Sequence, residues 1–75
     1  MSTSLAAFVK QRRKVLQLSQ PDLAAKAGVG LRFVRELEQG KATLRLDKVN
    51  LVLRLFGHAL APAPLDRNQL LDQQP

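Results

Sequence analysis

Few residues in this chain are of a type that does covalent or proton-transfer chemistry. His58 is the sole histidine, cysteine is absent, and the six carboxylates are spread along 75 residues. A general acid or base needs a positioned partner, and a hydroxyl nucleophile needs a base beside it. His58 has neither a Ser/Cys nucleophile pattern nor a carboxylate cluster near it, and Asp22, Glu36, Glu38 and Asp47 are scattered singly. A Cys/His zinc site is excluded by composition. The four glycines (28, 30, 40 and 57) each begin or end a helical stretch, so none belongs to a phosphate-cradling loop. No catalytic residue, metal, cofactor or small-molecule substrate is expected, and the protein is not expected to be an enzyme.

Cations are plentiful instead. Twelve Lys and Arg against six Asp and Glu give a formal charge of +6. The excess lies in residues 1–57, with eleven basic and four acidic side chains, whereas 58–75 hold only Arg67, Asp66 and Asp72. A compact basic body with a near-neutral tail suits a polyanion-binding module. The plainer alternative is a charge excess that merely keeps the protein dissolved. Three Phe and no Tyr or Trp supply no platform for stacking single-stranded bases. No apolar run approaches the roughly 18 residues needed to span a bilayer, and Met1-Ser2-Thr3-Ser4 lacks the layout of a signal peptide. A cytoplasmic protein without membrane contact is expected.

Four helices account for the apolar spacing. The first is predicted over 5–16, capped by Ser4, with Leu5, Phe8, Val9, Val15 and Leu16 on one face. Ser19-Gln20-Pro21-Asp22 is a strong start for a second helix over 20–27, ended by Gly28, with Leu23, Ala24 and Ala27 inward. A third is predicted over 31–39, with Phe33, Val34 and Leu37 inward and Gly40 as its stop. The fourth is predicted over 46–56, where Leu46, Val49, Val52, Leu53 and Phe56 make one stripe and Leu51 and Leu55 lie almost opposite. That second apolar side must meet something outside the monomer core. Residues 58–62 read as a short strand, which needs a partner for its backbone. Residues 63–75 are polar, broken by proline, and expected to be flexible.

The informative unit is 20–39. Ala24 lets two helices cross closely, Gly28 supplies the turn, and Val34 and Leu37 seat the second helix on the first: the spacing of a helix-turn-helix. Gly30, Leu31, Arg32, Arg35, Glu36 and Gln39 then point outward. Arginines a turn apart on an exposed face can make bidentate bonds to guanine edges in a major groove. The alternative on spacing alone is a helical hairpin with solvated arginines.

Leu18-Ser19-Gln20-Pro21-Asp22-Leu23-Ala24, then Ala27-Gly28-Val29, then Glu36-Leu37-Glu38-Gln39-Gly40-Lys41 together resemble the Cro/C1-type (xenobiotic-response-element) helix-turn-helix family over about 5–57. The continuation through Ala42-Thr43-Leu44-Arg45-Leu46-Asp47-Lys48-Val49, Leu53 and Phe56-Gly57 resembles a narrower group, the HipB-like antitoxins. These repress their own operon and pair with HipA-like serine/threonine kinase toxins. The resemblance implies an all-α, lambda-repressor-like domain of four to five helices (1–57), then a short strand (58–62) pairing across a two-fold homodimer. Its palindromic operator is double-stranded DNA.

By position, the resemblance further implies that Leu31, Arg32 and Arg35 read bases. Ser19, Gln20, Lys41 and Arg45 meet the DNA backbone. Arg13 and Glu38 form an internal ion pair, and Leu51, Leu55, His58, Ala59, Leu60 and Ala61 form the dimer seam. The sequence departs from the family at Gly30, which gives α-helical residues no side-chain cap, at Leu31, which forms no hydrogen bond to a base, and at Arg45, where the fourth helix lacks a capping residue. Three functions remain open: an autorepressing antitoxin with a kinase toxin partner, a stand-alone dimeric repressor, and a protein-interaction adaptor that uses the helix-turn-helix as a scaffold.

Overall fold

Ser4 opens the fold: its hydroxyl oxygen accepts the Ala7 backbone N–H at 3.1 Å, capping helix α1 (Leu5–Val15). The computed structural model describes residues 4–65. Three further helices follow, α2 (Gln20–Ala27), α3 (Leu31–Glu38) and α4 (Leu46–Arg54). α2 packs against both α3 and α4, and α1 packs against α3.

α1 ends in a tight reversal. The Leu18 N–H donates to the Arg13 carbonyl at 3.0 Å and the Gln17 N–H to the Lys14 carbonyl at 3.0 Å, the paired closure of a Schellman motif. That closure puts Gln17 at φ +59°, the sole non-glycine residue with positive φ among those described. Beyond the reversal, Ser19 and Asp22 bond reciprocally: the Asp22 N–H donates to the Ser19 hydroxyl at 3.1 Å, and the Ser19 N–H to the Asp22 carboxylate at 3.2 Å. This capping box satisfies two of the N–H groups that every helix start leaves orphaned. Gly28 ends α2 at φ +75°, with the Gly28 and Val29 N–H groups both on the Ala24 carbonyl at 3.0 Å.

The core is small and aliphatic. Val9 of α1, Leu23, Ala24 and Ala27 of α2, Val34 and Leu37 of α3, and Val49, Val52 and Leu53 of α4 are buried, with Phe56 beyond α4. Ala24 and Ala27 present only methyl groups where α2 meets its two neighbours. Phe8 and Phe56 meet edge to face, with centroids 6.3 Å apart.

Three differences from the sequence reading follow from how the helices end. α1 meets the core through Leu5, Phe8 and Val9, whereas Val15 and Leu16 are 64% and 53% exposed. They sit where the chain is already turning toward α2, so helical periodicity no longer decides what covers them. Leu46 is likewise exposed, at the first position of α4. α4 is regular only to Arg54: the Leu55, Phe56 and Gly57 N–H groups donate to carbonyls three residues back, and the His58 N–H reaches the Leu53 carbonyl at 3.0 Å.

Residues 58–62, expected as a strand, form none in the single chain, and no strand occurs among the described residues. The segment instead folds back on the helices. The Leu60 N–H donates to the Asn50 side-chain oxygen at 2.8 Å, and Leu60 packs against the core. The His58 ring meets Phe8 edge to face with centroids 4.8 Å apart, and its Nδ1 lies 2.7 Å from the Phe56 carbonyl. A strand gains its hydrogen bonds from a neighbour, and one copy of this chain offers none. The expected tail lies outside the described residues from Asp66 onward. Among the described residues, no helix is long and apolar enough to cross a membrane.

Two substitutions test the backbone reading with opposite signs. A Cβ at Gly28 would meet nothing within 4 Å, so Gly28→Ala isolates the left-handed backbone cost. It is expected to lower unfolding free energy by about 1–2 kcal/mol. Gln17→Gly relieves the same strain and is expected to raise stability by up to about 1 kcal/mol. Urea unfolding followed by circular dichroism measures both.

Candidate nucleic-acid interface

The α2–turn–α3 unit depends on one buried charge. Glu38, at the end of α3, is the sole buried charged or polar residue among those described, with its side chain 2% exposed. Its carboxylate accepts from Arg13 Nε at 2.7 Å and Arg13 Nη2 at 2.9 Å, a two-pronged guanidinium–carboxylate pair. Arg13 Nη1 donates to the Leu18 carbonyl at 2.9 Å, and Gln20 Nε2 donates to Glu38 at 3.1 Å. One guanidinium thus ties α1 and the α1–α2 reversal to α3, and Gln20 adds α2. Burial pushes the Glu38 carboxyl pKa up, but the Arg13 and Gln20 hydrogen bonds and the Arg13 and Lys10 charges outweigh it, so the net shift is downward. The Glu38 hydrogen bond and charge raise the Arg13 pKa against a smaller opposing effect of burial.

With Val34, Leu37 and Glu38 inward, α3 turns Arg32 and Arg35 to solvent. Arg32 is 92% exposed. Its Nε lies 3.2 Å from Glu36, one helical turn on. Glu36 also binds the Lys41 ammonium, which arrives from the loop after Gly40. The Lys41 hydrogen bond is the largest influence on Glu36; it and the Lys41 and Arg32 charges draw the carboxyl below its ordinary pKa against partial desolvation. No ion pair among the described residues involves Arg35.

The other candidate positions are less uniform. Leu31 is half-buried and packs against the core, so only part of it faces outward. Gly30 precedes α3 in extended conformation without a side-chain cap. Ser19 is exposed, and its hydroxyl is engaged in the α2 capping box. Gln20 is half-buried, with its amide on Glu38. Arg45 is exposed and gives α4 no side-chain cap; its guanidinium pairs with Asp47 at 2.7 and 3.2 Å. Leu51 and Leu55 are 37% and 40% exposed, and His58, Ala59 and Ala61 are exposed beside them in sequence. Among the described residues, no group of three His, Cys, Asp or Glu comes together to hold a metal.

Sequence reasoning placed Gln20 at the DNA backbone and Glu36 on the outward face of α3, but missed the side chains that each of them holds. Gln20 joins the Arg13–Glu38 pair across 18 residues, for which no local signal exists. Glu36 holds Arg32 and Lys41, and here a signal was available: Arg–Glu at i, i+4 is the spacing of a surface ion pair on a helix.

Over 53 residues, 71% of this chain, the sequence is 47% identical to the uncharacterized HTH-type transcriptional regulator y4mF of Sinorhizobium fredii, covering 70% of that protein. The chain belongs to the helix-turn-helix transcriptional regulators. No family model matches it. In this helix-turn-helix regulator Gly28 makes the turn between α2 and α3, Val34 and Leu37 are buried, and Arg32 and Arg35 are exposed on α3.

The buried pair makes a stability prediction with a definite pH sign. Arg13→Ala leaves the Glu38 carboxylate buried without its cation and is expected to cost about 3–5 kcal/mol. Because the folded state lowers the Glu38 pKa, its contribution is complete above the unfolded value, near 4.3, and is lost as pH falls through the folded value. Glu38→Gln is therefore expected to flatten the stability–pH curve below about pH 4.5 relative to the parent. Urea midpoints from pH 3 to 7 (about one per half unit) check this; an unchanged acid limb refutes it.

Proposed function

We propose that the protein is a dimeric, sequence-specific repressor that inserts α3 into the major groove of a two-fold symmetric operator. The observation that carries this reading is the exposed Arg32/Arg35 face on the second helix of a helix-turn-helix, in a chain of the regulator family. Guanidinium groups there match the O6 and N7 acceptors of guanine. Lys41 and Arg45, in the segment after α3, and Ser19 and Gln20, at the start of α2, are assigned to the phosphate backbone. The net charge of +6 supplies the non-specific part of the affinity.

A second copy accounts for the apolar side of α4. Leu51 and Leu55 are assigned to the two-fold seam, together with 58–61, which pair as a strand with their symmetry mate. The half-sites then lie about one helical turn, ~34 Å, or a multiple of it apart. The resemblance of 42–57 to HipB-like antitoxins favours one form of this reading. In it, the repressor controls an operon that also encodes a HipA-like kinase toxin, which it binds. In the stand-alone form no such partner exists. An adaptor function leaves the arginine face of α3 without a role.

Selection of sheared genomic DNA by the purified protein at about 150 mM salt, with competitor DNA, tests the reading. Enrichment of a palindrome is expected. Its position upstream of the protein's own gene and a kinase-like neighbour supports the antitoxin form, whereas unrelated promoters support the stand-alone form. Failure to enrich any sequence overturns the proposal. On the selected operator, Arg32→Ala is expected to relax preference at one base pair for about 1–3 kcal/mol. Unchanged preference removes Arg32 as a reader. Leu51→Lys combined with Leu55→Lys is expected to convert a dimer to a monomer by light scattering while leaving the helical spectrum intact.

A further inference from the structure

Glu36 is the one acidic side chain on the solvent side of α3, since Glu38 is buried, and it is attached to two of the cations assigned to DNA. The attachment is built into the end of the helix. The Gly40 N–H donates to the Leu37 carbonyl at 3.2 Å and the Lys41 N–H to the Glu36 carbonyl at 3.1 Å, with Gly40 at φ +81°. This second Schellman closure returns Lys41 to Glu36 by its backbone, and the Lys41 ammonium then meets the Glu36 carboxylate. Arg32 closes on the same carboxylate from one turn earlier. A lysine held in this way is not free to neutralise a phosphate, and a carboxylate beside it repels one.

We propose that Glu36 is an internal counterion that competes with DNA phosphate: it keeps Lys41, and with it Arg32, from the backbone of duplex DNA and thereby lowers affinity for duplex DNA of any sequence. The inference rests on the DNA-binding reading above. The two can compete because both cations are partly or wholly exposed, so the pairs are of the weak, solvent-screened kind. It differs from base reading, because its effect is on every sequence alike. Lys41 contributes to the electrostatic part of binding only to the extent that Glu36 releases it.

The test measures binding to a random-sequence 20-bp duplex by fluorescence anisotropy, with salt varied from about 50 to 200 mM. Glu36→Gln is expected to bind more tightly at every salt concentration. One additional phosphate contact steepens the log–log salt slope by about 0.9, so the variant loses roughly 3.5-fold more affinity across that range than the parent. In a Lys41→Ala background, Glu36→Gln is expected to add almost none of that slope. An unchanged slope, or the same steepening without Lys41, overturns the inference while leaving DNA binding intact. A parent protein that binds no duplex overturns the DNA-binding reading itself and the inference with it. A measurement independent of DNA and of the Gln variant is the Glu36 carboxyl titration by NMR. Lys41→Ala is expected to raise the Glu36 pKa in the free protein, and no rise refutes the pairing.

Discussion

Glu38 is a carboxylate taken out of water inside a domain whose buried core is otherwise aliphatic and aromatic, and the rest of the structure is arranged to keep it paired. An ionised group in that position without partners costs several kcal/mol, a large share of what a domain this small has in total. Arg13 and Gln20 donate three hydrogen bonds to it, and no buried side-chain nitrogen or oxygen among the described residues is left without a partner. Aliphatic contacts tolerate sliding and small rotations. A two-pronged guanidinium–carboxylate bond does not. The pair therefore fixes the rotation of α3 about its own axis relative to α1, in addition to any stability it contributes.

That rotation determines what the surface is. α3 has eight residues, too few to hold a helix in water alone, so its shape depends on packing. Once Val34, Leu37 and Glu38 face inward, Arg32 and Arg35 have only solvent to face. Electrostatics then act locally. Arg32 and Lys41 are tied to Glu36, while Arg35 carries its charge without an ion pair among the described residues. The exposed face of the regulator is thus cationic but partly self-neutralised. The formal charge count does not reveal this.

Apart from Leu65, beyond the helices, the large apolar residues exposed outside the core are of two kinds. Val15, Leu16 and Leu46 occupy helix ends, where neighbouring helices do not reach. Leu51 and Leu55 lie one turn apart on the outer side of α4, a helix whose other side is sealed by Val49, Val52 and Leu53. The following segment is held close by the Leu60–Asn50 hydrogen bond and the edge-to-face contact of His58 with Phe8. A strand expected from sequence is in this way a loop tied to its own helices in one copy of the chain.

The sequence determined those features that depend on neighbours within a turn. Ser4, the Ser19–Asp22 box and Gly28 mark helix boundaries because a cap satisfies backbone groups only three or four residues away. The spacing of Ala24, Gly28, Val34 and Leu37 likewise fixed the helix-turn-helix, since both helices are local and the turn is short. Tertiary structure decided what sequence distance conceals. Gln20 reaches Glu38 across 18 residues, Lys41 swings back onto Glu36 through a glycine in the left-handed region, and Leu31 turns partly into the core. It also decided that Val15 and Leu16 stay uncovered, because periodicity predicts which side chains share a face but not how far along the helix a neighbour extends.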